Sequence, residues 1–244
     1  MSQQKKEYSS NAHQRGAVLI ILVMLMVLAL SSALLTGISA TKTKLTQSAQ
    51  TRLNLAEAKS AIIAYARLSD PDKTSSGLNL RYLPCPDTDG DGLEETPCGT
   101  SAASGWLPWQ TLGVPPLKDS SGYCFRYFVA AAYKRGSAIP PDIAALPPAE
   151  FQVYNHQGTL ISNDVIAMIF AVNEPVAGQR RNINPGVATE CGSTALSAAI
   201  NQDQNLLESI NGISNASAPQ FIVAPEGSSS TFNDTAIWIS RTEF

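Results

Sequence analysis

Residues 17–40 read AVLIILVMLMVLALSSALLTGISA, without one ionisable side chain. As a helix, ~20 consecutive apolar residues cross the ~30 Å hydrocarbon core of a bilayer, so a membrane-spanning helix is the first expectation. A cleaved secretory signal competes with it. However, the apolar part of such a signal is only ~7–15 residues long, and no small-residue cleavage site precedes Lys42. Basic residues flank the run almost evenly, with Lys5, Lys6 and Arg15 before it and Lys42, Lys44 and Arg52 after it. Charge bias therefore leaves the orientation open.

Cysteine usage supplies a direction. Cys85, Cys98, Cys124 and Cys191 all lie beyond the run and contain no C-x-x-C pair, which fits neither a zinc ribbon nor a thioredoxin motif. In a Pro- and Gly-rich domain they read as two disulfides in an oxidising compartment, with the N-terminus left in the cytoplasm. Four reduced, buried thiols in a cytosolic domain are the competing reading. Cys85 and Cys98 are close enough in sequence to close a short loop, leaving Cys124 with Cys191.

The 244 residues are 44% hydrophobic and only 15% charged, with a formal net charge of -3. Neither a disordered tail nor the basic field that nucleic acid requires is compatible with those values. Helical periodicity continues past the apolar run: Leu55, Ala58, Ile62 and Tyr65 recur at three- and four-residue steps. No proline occurs from residue 17 to residue 70, so one helix over 17–68 is expected, with Gly37 as a soft point. Residues 71–116 are loop-rich. Strands are expected at 125–133, 151–154, 165–172 and 236–240, with a turn at 154–159 and a short helix within 193–211 that stops at Gly212. The fold class that follows is α+β, a long N-terminal transmembrane helix packed on an antiparallel β-sheet.

The opening segment MSQQKKEYSSNAHQRG ends with Arg15-Gly16 directly against the apolar run. Here the chain resembles the prepilin family, the type IV pilins and the pseudopilins of type II secretion systems. Tyr82-Leu83-Pro84-Cys85-Pro86-Asp87, the segment from Gly105-Trp106 to Leu112-Gly113, and Asn233-Asp234 through Ile239-Ser240 look like a less studied branch of large prepilin-like proteins. The resemblance implies a lollipop-shaped fold and a leader, residues 1–16, cut between Gly16 and Ala17 by a prepilin peptidase that then methylates the Ala17 amine. It further implies a transmembrane part at 17–40, an amphipathic continuation at 41–70 and a disulfide-containing periplasmic domain at 71–244. On the same basis the chain would sit in the inner membrane among other pilins or pseudopilins and lipid, with no nucleic acid partner. Two positions depart from the family pattern: Ala17 replaces an aromatic residue or Met, and Ile21 replaces Glu. That Glu is thought to meet the terminal amine of a neighbouring subunit. A chain with Ile21 can offer its own amine but not receive another, which implies use once or rarely, at a filament tip or in an initiating complex.

Catalytic chemistry has little to work with. His156 is the one histidine beyond the leader and lies in an expected turn; G-x-S-x-G, P-loop and G-x-G-x-x-G sequences are all missing. An enzyme is therefore not expected. One constellation has ligand chemistry, Asp87-Thr88-Asp89-Gly90-Asp91-Gly92-Leu93-Glu94-Glu95. Asp at positions one, three and five with Gly at six surrounds a tight turn with carboxylates, as a hard cation such as calcium requires. The twelfth position is Cys98 where an EF-hand has Glu, so Glu94 or Glu95 must substitute; the candidate calcium ligands are Asp87, Asp89, Asp91 and Glu95. A solvated Asp/Gly turn without metal is the alternative. Trp106, Trp109 and Trp238 are expected as packing anchors.

Two functions remain in view. The first is a minor pilin or pseudopilin, a structural subunit of a type IV pilus or secretion pseudopilus. The second is a membrane-tethered periplasmic binding protein, calcium-dependent or not, that never polymerises. A bitopic enzyme ranks last.

Overall fold

The computed structural model describes residues 12–68, 82–135, 146–177, 179, 206–225, 229 and 231–244. The chain divides into two compact units, Met1–Gln47 and Ser48–Phe244, and the division falls within the segment expected as the amphipathic continuation. Helix α1 runs over Ala12–Leu68, so it begins before the expected cleavage point and contains both Gly16 and Ala17. With no proline available to break it, α1 is continuous through Gly37. In the first unit, the large apolar side chains at 18–30 are exposed on every face, from 50% at Val23 to 66% at Leu19.

In the second unit α1 has a buried stripe. Thr51, Leu55, Ala58, Ile62 and Ala66 follow one another at the three- and four-residue spacing that keeps one helix face toward a core. The small side chains at Ala58 and Ala66 let the backbone approach its support closely. Polar ties flank the stripe: Asn54 Nδ2 donates to the Lys118 carbonyl (2.7 Å), Ser120 N donates to Thr51 Oγ1 (3.0 Å), and Lys59 pairs with Glu243 (2.6 Å).

The support is a six-stranded sheet of β1 (Ala103–Trp106), β2 (Arg126–Val129), β3 (Phe151–Asn155), β4 (Leu160–Ala171), β7 (Gln220–Val223) and β8 (Thr235–Ser240). Its order is β1-β2-β4-β3-β7, with β8 also paired to β4. A separate hairpin joins β5 (Ser209–Ile210) to β6 (Ile213–Ser214). β4 is central because residues 165–171 are buried on both faces, where continuous Val, Ile, Met and Phe replace alternation. Phe128, Phe151, Phe170 and Phe221 meet with ring centroids 5.1–5.8 Å apart. Their mostly edge-to-face geometry suits the ring quadrupoles.

The expected fold class requires correction in two respects. Among the described residues no helix is long and apolar enough to cross a membrane. The sheet is mixed rather than antiparallel, because β7 pairs in parallel with β3. Neither the transmembrane helix nor the all-antiparallel sheet of the expected lollipop therefore stands; the described fold is mixed α/β, with α1, a mixed sheet and two short 3-10 helices.

Smaller differences have local causes. The expected strand at 125–133 ends at Val129, and Ala131–Tyr133 is a 3-10 helix whose first amides are taken by Glu150. Within 193–211, where a short helix is expected, Leu206 is helical, but the expected stop at Gly212 belongs to the β5–β6 hairpin instead, because Asn211 and Gly212 both adopt positive φ (52° and 78°) and turn the chain back. Residues 193–205 lie outside the described residues. Cys85 and Cys98 are joined as expected. Cys124 is also disulfide-bonded, and Cys191, its expected partner, lies outside the described residues.

Candidate metal centre

The acidic loop hangs between two fixed points. At its start, Leu83 N donates to the Tyr133 carbonyl (2.8 Å) and Arg135 N to the Leu83 carbonyl (3.1 Å). Asp87 then pairs with Trp106 at the end of β1 through N–H to carbonyl bonds in both directions, 3.0 and 2.7 Å. That approach needs a glycine alongside: a Cβ at Gly105 would lie 2.4 Å from the Asp87 carbonyl oxygen. At the far end, the disulfide returns Cys98 to Cys85, and the buried Lys134 ammonium donates to the Cys98 and Gly99 carbonyls.

Between these points the carboxylates organise their own turn. Asp87 is fully buried and accepts from Gly90 N on Oδ1 (2.6 Å) and from Gly92 N on Oδ2 (2.7 Å). Asp89 accepts from Asp91 N, and Asp91 accepts from Leu93 N, each two residues on. Gly90 and Gly92 take φ near 87°, which side chains with a Cβ rarely adopt. As a result, one oxygen from each of Asp87, Asp89, Asp91 and Glu95 lies within 4.8 Å of the other three. The set is all oxygen and all anionic, which fits a hard divalent cation such as calcium and excludes the soft ligation that thiolates would give.

Glu94 and Glu95, indistinguishable in sequence, do different work. Glu94 Oε2 accepts from Cys85 N (3.0 Å), and its Oε1 accepts from Tyr65 Oη on α1 (2.8 Å) and from Arg135 (2.6 Å). Its own N–H donates to Thr111 Oγ1 (2.8 Å). Glu94 is thus committed to joining the loop to α1, and Glu95 alone supplies the fourth carboxylate. Nearby, the buried Tyr127 hydroxyl has no hydrogen-bond partner among the described residues; burial, reinforced by the Glu94 charge, pushes its phenol well above the usual range and keeps it neutral.

Of the three tryptophans, Trp106 is buried beneath the Arg126 guanidinium, 4.5 Å from the ring centroid, an arrangement that lets the ring face stabilise the buried cation. Trp109 and Trp238 pack half-buried against the core, and Trp109 also walls the loop at Gly92. The His156 carbonyl, in the β3–β4 turn, accepts from Asn211 Nδ2 (2.6 Å). Ile21 is 59% exposed on α1.

Burial pushes the Asp87 carboxyl up to about 6 against the downward pull of the Gly90 and Gly92 amides, with Asp91 and Asp89 adding to the rise. In the metal-free fold this raised value means that the folded state holds a proton which the unfolded chain has released. The contribution of Asp87 to stability therefore declines as pH rises from 3.8 to about 6 and is level above that. A cation must expel the same proton. Calcium at ~100 times its dissociation constant is accordingly expected to raise the melting temperature by about 5–10 °C above pH ~6, with a smaller shift below it. Magnesium, which needs a tighter octahedral shell, is expected to do less. Differential scanning calorimetry checks this: no shift, or an equal shift in Asp89→Ala, returns the loop to a metal-free turn. Compared with known proteins, the chain matches no family model, no curated protein and no solved structure, so the reading of its function rests on its own residues and their geometry.

Proposed function

We propose that this protein is a structural subunit, a minor pilin or pseudopilin, that joins a filament through the apolar surface of α1 at 18–30. The observation behind this reading is the contrast along one helix. From Thr51 to Ala66 a single face of α1 is buried, whereas at 18–30 apolar side chains are exposed on every face. A surface of that kind in water costs about 25 cal/mol per Å² and calls for other apolar surface around it. A ring of like helices supplies it, and the reading requires helix-to-helix packing rather than a bilayer crossing. The Arg15-Gly16 junction and Ile21 extend the proposal to cleavage by a prepilin peptidase and to a place at the tip or in an initiating complex.

The test is made in a host with an active prepilin peptidase and filaments that can be sheared. Intact mass is expected to show a chain beginning at methylated Ala17, with Gly16→Lys leaving the precursor uncut. Quantitative mass spectrometry of the filaments is expected to find this chain far below the most abundant subunit, and Leu22→Lys with Met26→Lys is expected to remove it. Retention of Met1 overturns the processing step, and abundance equal to the major subunit overturns the tip role. Complete absence from filaments favours the non-polymerising binding protein instead.

A further inference from the structure

Two acidic groups, Glu208 just before β5 and Asp234 just before β8, form a second cluster, remote in sequence from the loop at 87–95. Glu208 and Asp234 are 5% and 3% exposed, so two carboxyl groups are withdrawn from water side by side. Each takes backbone amides from the other's segment. Glu208 N donates to Asp234 Oδ2 (2.9 Å), while Asn233 N and Asp234 N both donate to Glu208 Oε2 (3.0 and 2.9 Å). Asn215 Nδ2 adds a second donor to Asp234 Oδ2 (3.0 Å), and Gln179 Nε2 donates to Glu208 Oε1 (2.9 Å). Asn215 is itself locked to β7, giving Nδ2 to the Ile222 carbonyl and accepting from Ile222 N. The cluster therefore joins the β5–β6 hairpin, β7 and β8.

One carboxyl oxygen is left over. Among the described residues Asp234 Oδ1 is buried with no hydrogen-bond donor, whereas the other three carboxyl oxygens of the pair each accept at least one N–H. A buried carboxylate oxygen without a donor is costly, and a proton on that oxygen turns it into a donor. The acceptor is at hand, because each carboxyl group takes the other residue's backbone N–H, Glu208 N on Asp234 Oδ2 and Asp234 N on Glu208 Oε2 (both 2.9 Å), which sets the two side by side. We propose that Asp234 carries a proton on Oδ1 and donates it to the Glu208 carboxylate, forming a clasp between β8 and the β5–β6 hairpin that opens when the proton passes to water.

Burial, with the Glu208 charge adding to it, pushes the Asp234 carboxyl well above the usual range. Among the described residues, the other charged groups on the surrounding segments are Asp119, which accepts from Asn173 N (2.7 Å), and Glu174, whose carbonyl accepts from Asn233 Nδ2 (2.7 Å). Glu208 takes part in further interactions besides these. The sign follows: the unfolded chain releases this proton near pH ~4 and the folded chain keeps it, so stability falls as pH rises until the folded group titrates.

Asp234→Asn is the informative variant, since its amide oxygen replaces Oδ2 as acceptor and its NH2 replaces the Oδ1 hydroxyl as donor. Above about pH 5, and until the folded group titrates, the folding constant of the unaltered protein is expected to fall relative to that of the variant by up to about tenfold per pH unit. Hydrogen exchange at Glu208 N, Asp234 N and Ile222 N is expected to accelerate with pH beyond its chemical rate in the unaltered protein only. The carboxyl carbon of Asp234, followed by NMR in the unaltered protein, decides the matter even where the variant fails to fold. Titration of that carbon well above the usual carboxylate range supports the clasp. Titration near pH ~4, or parallel pH profiles for the two proteins, overturns it.

Discussion

Glu94→Ala is expected to cost about 3–4 kcal/mol of stability and to detach the acidic loop from α1. The side chain is 9% exposed and accepts from three groups that belong to separate parts of the fold: Cys85 N, Tyr65 Oη and Arg135. Hydrogen bonds to a charged acceptor are worth about 1.5–3 kcal/mol each, and a buried amide left without a partner costs about 1–3 kcal/mol. The Arg135 contribution is discounted because that side chain is 46% exposed and water screens the pair. Cys85 N and Tyr65 Oη therefore carry most of the loss. Glu94→Gln, with a single acceptor oxygen, is expected to lose about half as much. Urea unfolding measures both variants, and a double-mutant cycle with Tyr65→Phe isolates the bond to α1, expected at about 1–2 kcal/mol. A total loss below about 1 kcal/mol for Glu94→Ala would show that the loop is held without it.

The features legible in the sequence were those written in local spacing. Leu55, Ala58 and Ile62 mark the buried face of α1 because helical period alone decides which side chains align, and the continuous apolar run at 165–171 marks a strand covered on both faces. The Asp-x-Asp-x-Asp-Gly spacing marks the carboxylate turn, since each Asp binds an amide two to five residues away. Long-range pairing was not legible. β7 joins β3 in parallel across more than sixty residues, with Gln152 opposite Gln220, and no local pattern in QFIV indicates which edge it will take or in which direction. The division of labour between Glu94 and Glu95 was hidden for the same reason, because only the approach of Tyr65 and Arg135 separates two adjacent, chemically identical side chains. One signal was present and underused: Asn211-Gly212 is a strong hairpin turn sequence, and Gly212 reads equally as a helix stop when only local spacing is considered. The Glu208–Asp234 pair, 26 residues apart with no motif, becomes visible only once both groups are seen to be buried together.

Gly92→Ala is expected to cost about 3 kcal/mol or more and to disperse the carboxylate cluster. Two penalties coincide at this position. The backbone sits at φ 86°, where an L side chain costs about 1–2 kcal/mol. A Cβ would also lie 2.4 Å from Trp109 Cε2 and 2.5 Å from Nε1, well inside contact distance of a rigid ring. Escape is restricted because Gly92 is held on both sides: its N–H donates to Asp87 Oδ2, and its carbonyl accepts from Gln110 N (2.8 Å) and Thr111 N (3.3 Å). Whichever way the strain is relieved, the Asp87 carboxylate or the 109–113 turn must shift. Gly99 provides the control, since it has φ 76° but nothing within 4 Å of an added Cβ, so Gly99→Ala is expected to cost only the backbone share, about 1 kcal/mol. The difference between the two variants in urea unfolding then measures the clash. Trp109→Leu should relieve it, because Trp109 Nε1 has no hydrogen-bond partner among the described residues to lose, and the double variant is expected to be more stable than the sum of the two single changes implies. Equal losses at Gly92 and Gly99, or strict additivity with Trp109→Leu, would mean that the loop yields to the added methyl and that Trp109 does not wall it.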